Sequence, residues 1–229
     1  MPNRARNDVP GVAMHITQRG NNRQRIFKDD QDCQRFAGMF MRYAKEYRIA
    51  VHAWAFMPNH IHLLVTPESR YKVGRMMMCT TGAYTRYYNA KYKRTGTLYE
   101  KRYFSALVDG DEYALAVYRY IELNPVKARL TRHPRNWHWS SYRHNAEGLF
   151  SNFLQPHQAF LKLGKTITEC RKNYRKLMNA TSVKSAEYQQ LLRTLRATQL
   201  AQGAFGSDAF VESMSARLGR KLKVKMKDK

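Results

Sequence analysis

Acidic residues are scarce in this sequence. It has 17 Asp and Glu residues against 41 Lys and Arg residues, which gives a formal net charge of +24 and an isoelectric point near 10.2. This charge exceeds what solubility requires and predicts nucleic acid as the partner, because a basic field attracts phosphates. It excludes neither a protein that only coats RNA or DNA nor an enzyme that acts on them. Charge alone therefore indicates the partner and leaves the activity open.

Cysteines and long apolar runs are also scarce. The three cysteines, Cys33, Cys79 and Cys170, have no CxxC spacing, so neither a disulfide framework nor a cysteine-based zinc site is predicted. No apolar run reaches the roughly 18 residues of a membrane span. The N-terminal residues MPNRARND lack the apolar core of a signal peptide. We therefore expect a cytoplasmic, nucleoid-associated protein with no membrane partner.

The chain of 229 residues, 43% of them hydrophobic, is long enough for one core with a smaller helical appendage. After Gly148 the density of aromatic residues falls, and helical patterns cover residues 185–201 and 207–218. We predict a main domain over residues 1–148 and a helical, basic C-terminal extension over residues 149–229.

The hydrophobic periodicity of the main domain predicts the order βαββαβα. The predicted strands are 11–16, 49–56, 60–65 and 103–108, and the predicted helices are 29–48, about 73–92, and 111–123. Met57, Pro58 and Asn59 form a turn that should join the second and third strands in an antiparallel hairpin. This order is typical of an α+β sandwich of the ferredoxin-like or RRM-like type, with one central antiparallel sheet covered by helices on one face.

Two histidines lie in the third predicted strand. His60 and His62 point to the same face because side chains alternate along a strand, whereas Ile61 and Leu63 point to the opposite face and its core. We therefore expect the histidines on the helix-free face of the sheet, where two imidazoles can bind one metal ion. His-x-His pairs also occur by chance on polar sheet faces, so the spacing leaves both interpretations open.

The last predicted helix of the main domain carries a tyrosine and an asparagine on one face. Tyr120 and Asn124 are four residues apart, and Glu122 should point elsewhere. Pro125 disfavours a helical conformation at Asn124, so we expect Asn124 at the last turn or just past it. Tyr120 is one of 15 tyrosines, and most tyrosines pack or stack. Taken alone, Tyr120 is either a packing residue or a nucleophile.

At these residues the sequence resembles the REP-associated tyrosine transposases, a branch of the single-tyrosine HUH transposases of the insertion-sequence type. The resemblance covers most of residues 11–143, in the segments HITQRGNNRQRIF, MPNHIHLLVTP, TGTLYEKRYFSALV, YRYIELNPVKARL and WSSY. It implies that His60 and His62 are the metal ligands of the HUH motif. It further implies that Tyr120 is the catalytic residue and that Asn124 completes the metal coordination.

The resemblance also implies a metal-dependent endonuclease and strand transferase for single-stranded DNA. Tyr120 would attack a phosphodiester, release a 3′-hydroxyl and form a 5′-phosphotyrosine link in hairpin-containing, REP-like DNA. Mg²⁺ or Mn²⁺ suits two imidazoles and an amide oxygen, and zinc would also bind the imidazoles. A second tyrosine one helical turn away is missing, since positions 116 and 124 are Ala and Asn, so the double-tyrosine subclass is excluded.

Two other functions remain to be weighed. A non-catalytic RNA- or DNA-binding module could use the same RRM-like fold, but such modules carry aromatic residues on their central strands. A zinc-stabilised structural domain is disfavoured because no cysteine lies near the histidines. Some related transposases exchange helices between two subunits, whereas the REP-associated branch favours monomers, so we expect a monomer.

The residues expected to contact DNA fall into three segments. The first is a loop in which arginines alternate with polar residues that can donate to phosphates and base edges, although a solvated turn is the alternative. Its candidates are Arg19, Asn21, Asn22, Arg23 and Arg25. Arg102 is the candidate in the middle segment, and Arg220 and Lys221 begin a basic arm, 219–229, that we predict to be flexible and to bind the DNA backbone. His15, on the first strand, is expected to be a solvated sheet residue.

Overall fold

The computed structural model describes residues 8–222, so residues 223–229 of the predicted basic arm lie outside the described part of the chain. The strands are β1 (Ala13–Arg19), β2 (Ile49–Met57), β3 (His60–Pro67), β4 (Phe104–Val108) and β5 (Ala204–Phe205). The helices are α1 (Asp30–Glu46), α2 (Lys72–Lys91), α3 (Asp111–Glu122), α4 (Asn124–Lys127), α5 (Tyr142–Glu147), α6 (Gln158–Leu161), α7 (Ile167–Ala180), α8 (Ala186–Leu200) and α9 (Asp208–Leu218). Short 3₁₀ helices cover Asn21–Arg23 and Pro134–Asn136.

The strands form a five-stranded sheet in the order β2-β3-β1-β4-β5. β1 is central and pairs antiparallel with β3 and β4, and β2 pairs with β3 in the predicted hairpin. The predicted α+β sandwich is therefore confirmed. β5 was not predicted and runs parallel to β4; its two residues are too few to show an alternating pattern.

Both faces of the sheet are covered, so the prediction of a helix-free face is wrong. Met14, Ile16 and Leu63 point into a core with α1 and α2. On the opposite face, which carries the histidines, Ala53 and Ala55 pack in a second core with α3. α3 has a wide apolar side that must be buried, and alanines on the sheet allow its backbone to come close.

Residues from the predicted C-terminal extension enter both cores. Ala204, Val211 and Leu222 join the core that contains α1 and α2, while Phe160 and Tyr174 join the core that contains α3. The boundary at residue 148 stays a prediction, because the two parts share their packing in the described chain. No helix within residues 8–222 is long and apolar enough to cross a membrane.

Candidate active site

The pairing of β1 with β3 places the polar residues of the central strands side by side. Thr17 lies opposite His62 and Arg19 lies opposite His60 in the antiparallel register. His60 begins β3 directly after the hairpin turn and is partly exposed, whereas His62 lies deeper and is only 3% exposed. The two histidines therefore occupy the rim and the floor of one site.

Tyr120 lies over the floor of this site. α3 packs on β2 and β3 and directs the Tyr120 ring edge-on towards His62, with 5.0 Å between the ring centroids. A similar edge contact of 5.1 Å joins Tyr120 to His15. The tyrosine is 3% exposed. The structure thus brings Tyr120 and the histidine pair together, as the sequence predicted.

Each histidine of the pair has its Nδ1 atom engaged. His60 Nδ1 is 2.6 Å from Asn59 Oδ1, and His62 Nδ1 is 3.0 Å from Thr17 Oγ1. The rings lie 4.9 Å apart. Burial lowers the pKa of His60 to about 4 and also holds the pKa of His62 well below its ordinary value. Both imidazoles are neutral at pH 7, the state that binds metal ions, and their Nε2 atoms remain for a ligand.

Asn124, the third predicted metal ligand, lies one helical turn after Tyr120. Its Nδ2 donates to the backbone carbonyl of Tyr120 at 2.7 Å, which leaves Oδ1 available as a ligand. Within residues 8–222 no cluster of three or more His, Cys, Asp or Glu side chains is placed to hold a metal. An amide oxygen such as Oδ1 of Asn124 is chemically able to ligate a divalent cation. Two imidazole nitrogens and one oxygen suit Mg²⁺ or Mn²⁺ with water and phosphate in the remaining positions.

Three cations surround the site, and none of them forms a salt bridge with a carboxylate of residues 8–222. Burial raises the pKa of Tyr120, and the charge of Arg196 together with hydrogen bonds from Arg196 and Asn124 opposes this shift. Burial is the largest cause of the low pKa of His60, and the charges of Arg19, Arg196 and Lys127 lower this pKa further. Burial and, to a smaller extent, the positive charge of Arg196 lower the pKa of Lys127 to about 8. Lys127 Nζ makes no hydrogen bond in the described chain. An anion such as a phosphate would offset this charge.

The sequence pattern did not identify Arg196. It lies on α8, far from the histidines and from Tyr120 along the chain, and no motif marks it. Only the packing of α8 over β4 and β5 brings it to Tyr120.

The structure places the predicted DNA-contacting loop beside the site. Gly20 N donates to Asn59 O at 2.9 Å, and Asn59 Nδ2 donates to Arg23 O at 3.2 Å, so the loop is fastened to the turn before His60. Its predicted contact residues lie at the rim, partly or fully exposed: Arg19, Asn21, Asn22, Arg23 and Arg25. From the other side, Tyr84 and Tyr88 of α2 donate to the backbone carbonyls of residues 26 and 25. These two tyrosines are buried and hold the loop in place.

The other predicted DNA contacts lie in two different parts of the described chain. Arg102 is exposed just before β4, next to Lys101, whose carbonyl accepts a hydrogen bond from Gln18 at 2.8 Å. Arg220 and Lys221 follow α9. Near the end of α9, the carbonyl of Arg217 accepts a hydrogen bond from Arg70, which follows the last residue of β3. His60 lies at the other end of that strand. The structure therefore does not bring Arg220 and Lys221 to the candidate site.

His15 and Glu122 are both buried on the covered face. The expectation that His15 is solvated is wrong: its ring is 0% exposed, and burial lowers its pKa to about 3, because α3 covers this face. Glu122 points away from the site, as expected, and accepts hydrogen bonds from Ser141, Asn145 and Tyr174. Burial raises its pKa to about 7, although the three hydrogen bonds oppose this. Glu122 thereby fixes the helix that carries Tyr120.

Comparison with known proteins identifies a family for this chain and solved structures that are similar to it. A family model described as IS200-like transposase matches residues 8–124. The solved structure of a REP-associated tyrosine transposase bound to a REP hairpin is similar with a TM-score of 0.52 and 16% identity, covering 69% of this chain and 93% of that chain. A protein of Deinococcus radiodurans R1, provisionally assigned as a transposase, has a TM-score of 0.38 and 18% identity, covering 53% of this chain and 96% of that chain. No curated protein matches the sequence.

Proposed function

This chain belongs to the IS200-like transposase family, and from that premise we propose that it cleaves and rejoins single-stranded DNA through a 5′-phosphotyrosine at Tyr120. The contact that supports this most directly is the edge-on approach of Tyr120 to His62, with ring centroids 5.0 Å apart. It places a hydroxyl-bearing side chain next to a pair of neutral imidazoles and near the positive charges of Arg19, Arg196 and Lys127. Membership of a transposase family favours this enzyme over the alternative of a non-catalytic nucleic-acid-binding module.

In the proposed reaction Tyr120 Oη forms a bond to phosphorus and the bond from phosphorus to the 3′ oxygen breaks. The phenol loses its proton and the 3′ oxygen takes one up, so the released strand ends in a 3′-hydroxyl. Attack of a 3′-hydroxyl on the phosphotyrosine reverses these steps and rejoins DNA. Because the total number of phosphodiester bonds is unchanged, no external energy source is needed.

The other residues around Tyr120 have separate proposed roles in the reaction. The Nε2 atoms of His60 and His62 and Oδ1 of Asn124 would hold Mg²⁺ or Mn²⁺. A bound ion of this kind polarises the scissile phosphate and offsets charge in the transition state. Arg196 donates to the Tyr120 hydroxyl and favours its deprotonated form, which matters because a phenol is mostly protonated at pH 7. Lys127 is placed to neutralise phosphate charge.

The proposed substrate is hairpin-containing, REP-like DNA with a short single-stranded segment at the cleavage point. The solved transposase that shares this fold is bound to a REP hairpin, and the loop from Arg19 to Arg25 borders the site with exposed arginines and amides. Such side chains bind phosphates and base edges. We also propose a monomeric enzyme, because Tyr120 and His62 of the same chain are in contact.

Replacing Tyr120 tests this function. With a labelled hairpin oligonucleotide and Mg²⁺, wild-type protein should give a covalent adduct on a denaturing gel, with a free 3′-hydroxyl on the other fragment. Tyr120→Phe should bind the hairpin and form no adduct. Tyr118→Phe is the matched control, since Tyr118 is buried against Phe160 and Tyr174, away from the histidines. An adduct with Tyr120→Phe would contradict the assignment, and cleavage by wild type without any adduct would indicate attack by water.

A further inference from the structure

A chain of hydrogen bonds joins α8 to the deeper histidine. Gln199, near the end of α8, is buried, and its Nε2 donates to the backbone carbonyl of His15 at 3.3 Å. A backbone carbonyl can only accept, so this bond sets the orientation of the amide. Oε1 of Gln199 then faces Thr17 Oγ1, 3.1 Å away.

The orientation of the amide determines where the next proton lies. Thr17 has one hydroxyl proton, and it is donated to Gln199 Oε1. Its lone pairs are therefore left to face His62 Nδ1 at 3.0 Å, so His62 Nδ1 must carry the proton of that bond. A neutral imidazole protonated at Nδ1 has its free lone pair at Nε2.

His15 offers a competing arrangement. Its Nε2 lies 3.2 Å from the same His62 Nδ1, and a proton donated from His15 would place the lone pair of His62 at Nδ1. Thr17 Oγ1 and His62 Nδ1 would then face each other at 3.0 Å with no proton between them, since the Thr17 proton is committed to Gln199. The arrangement with His62 as donor avoids this unfavourable contact and leaves His15 Nε2 as a second acceptor, while His15 Nδ1 has no hydrogen-bond partner within residues 8–222 in either arrangement.

We propose that Gln199 and Thr17 are positioning residues that select the tautomer of His62 in which Nε2 can ligate a divalent cation. The inference rests on the proposed function, because it concerns the same metal site. Ligating histidines generally need a partner that fixes the N–H of the other ring nitrogen. Here the hydrogen bonds that fix the N–H run from Gln199 on α8 through Thr17 to His62. Because α8 lies outside residues 8–124 that match the family model, α8 takes part in forming the active site.

The first test is the tautomer of His62 in the metal-free protein, measured by NMR correlation of its ring nitrogens and ring protons. Wild-type His62 should be protonated at Nδ1 and not at Nε2. Gln199→Leu and Thr17→Val should shift the ring towards protonation at Nε2, whereas Thr17→Ser keeps the hydroxyl and should match wild type. Gln190→Leu is the control, because Gln190 is exposed on the same helix.

The second test is the affinity for Mn²⁺ alone, measured by calorimetric titration. Gln199→Leu and Thr17→Val should bind Mn²⁺ about 10- to 100-fold more weakly than wild type, and Thr17→Ser and Gln190→Leu should bind as wild type does. Protonation of wild-type His62 at Nε2 overturns the inference, and this measurement needs no variant to fold. If wild type shows the Nδ1 tautomer but binds no Mn²⁺, the proposed metal site fails while the tautomer assignment stands.

Discussion

His62 is enclosed by Thr17, His15 and Tyr120, so its replacement should affect stability as well as activity. His62→Ala should abolish adduct formation, and it should lower the free energy of unfolding by about 1–3 kcal/mol, because buried partners lose their hydrogen bonds. His60→Ala, at the partly exposed rim, should abolish cleavage with a smaller loss of stability. Denaturant unfolding and the gel assay measure the two effects. Full cleavage by His62→Ala in chelator-treated buffer would contradict the metal site.

Arg196 is expected to matter for the chemical step more than for binding. Arg196→Gln removes the charge that favours the deprotonated form of Tyr120. The single-turnover cleavage rate should fall at least about tenfold, since hydrogen bonds to charged groups contribute about 1.5–3 kcal/mol. Arg193→Gln, at an exposed position on the same helix, is the control. A loss of hairpin affinity with an unchanged single-turnover rate would instead assign Arg196 to DNA binding.

Glu122 should make stability depend on pH. Its pKa is about 7 in the folded protein against an ordinary value of 4.5, so between these values the folded state retains a proton that the unfolded state releases. Stability should therefore fall as pH rises from 4.5 to 7, by at most roughly 3 kcal/mol, and then level off. Glu122→Gln should remove this fall and the exposed Glu112→Gln should not. Equal pH profiles for wild type and Glu122→Gln would refute the shift.

At the scale of the elements, local periodicity was enough to predict the β2–β3 hairpin and the face shared by His60 and His62. It did not predict what covers that face. Alternation tells which side chains point together, whereas the covering helix is decided by contacts between distant segments. The small residues Ala53 and Ala55 on this face are typical of a strand on which a helix packs closely. The histidines on the same face indicated an open, polar surface instead. β5 and the role of α8 depend on such distant contacts alone.

The alanines of β2 give a test of this packing. Ala55→Leu adds side-chain volume between β2 and α3, where Ala55 is 0% exposed, and should lower the free energy of unfolding by about 1–3 kcal/mol. It should also slow cleavage, because α3 carries Tyr120. Ala90→Leu, at an exposed position on α2, should change neither quantity much. Unaltered stability and cleavage in Ala55→Leu would mean that α3 does not pack closely on β2.

At the scale of the whole molecule, the net charge of +24 predicts strongly salt-dependent binding. Affinity for hairpin DNA should fall at least about 100-fold between roughly 50 and 200 mM salt if four or more phosphates are contacted. Titrations at several salt concentrations measure the slope. An affinity that does not vary with salt would contradict a phosphate-dominated interface.

The basic residues after α9 allow a separate test. Replacing Arg220 and Lys221 together with alanine should weaken binding to all DNA sequences by a similar factor, since contacts to the backbone carry no sequence information. Substitution is preferable to truncation because Leu222 is buried in the core. A loss confined to one hairpin would show that this segment reads sequence.

The position of Gln199 and Arg196 on α8 has a consequence for protein synthesis. A nascent chain leaves the ribosome N-terminus first, so Tyr120 and both histidines emerge well before α8. Until translation passes α8, the emerging polypeptide carries the proposed nucleophile, Tyr120, but lacks Arg196, which interacts with Tyr120, and Gln199, which is linked through Thr17 to His62. The order of translation thus delays assembly of a DNA-cutting centre until most of the polypeptide has been made.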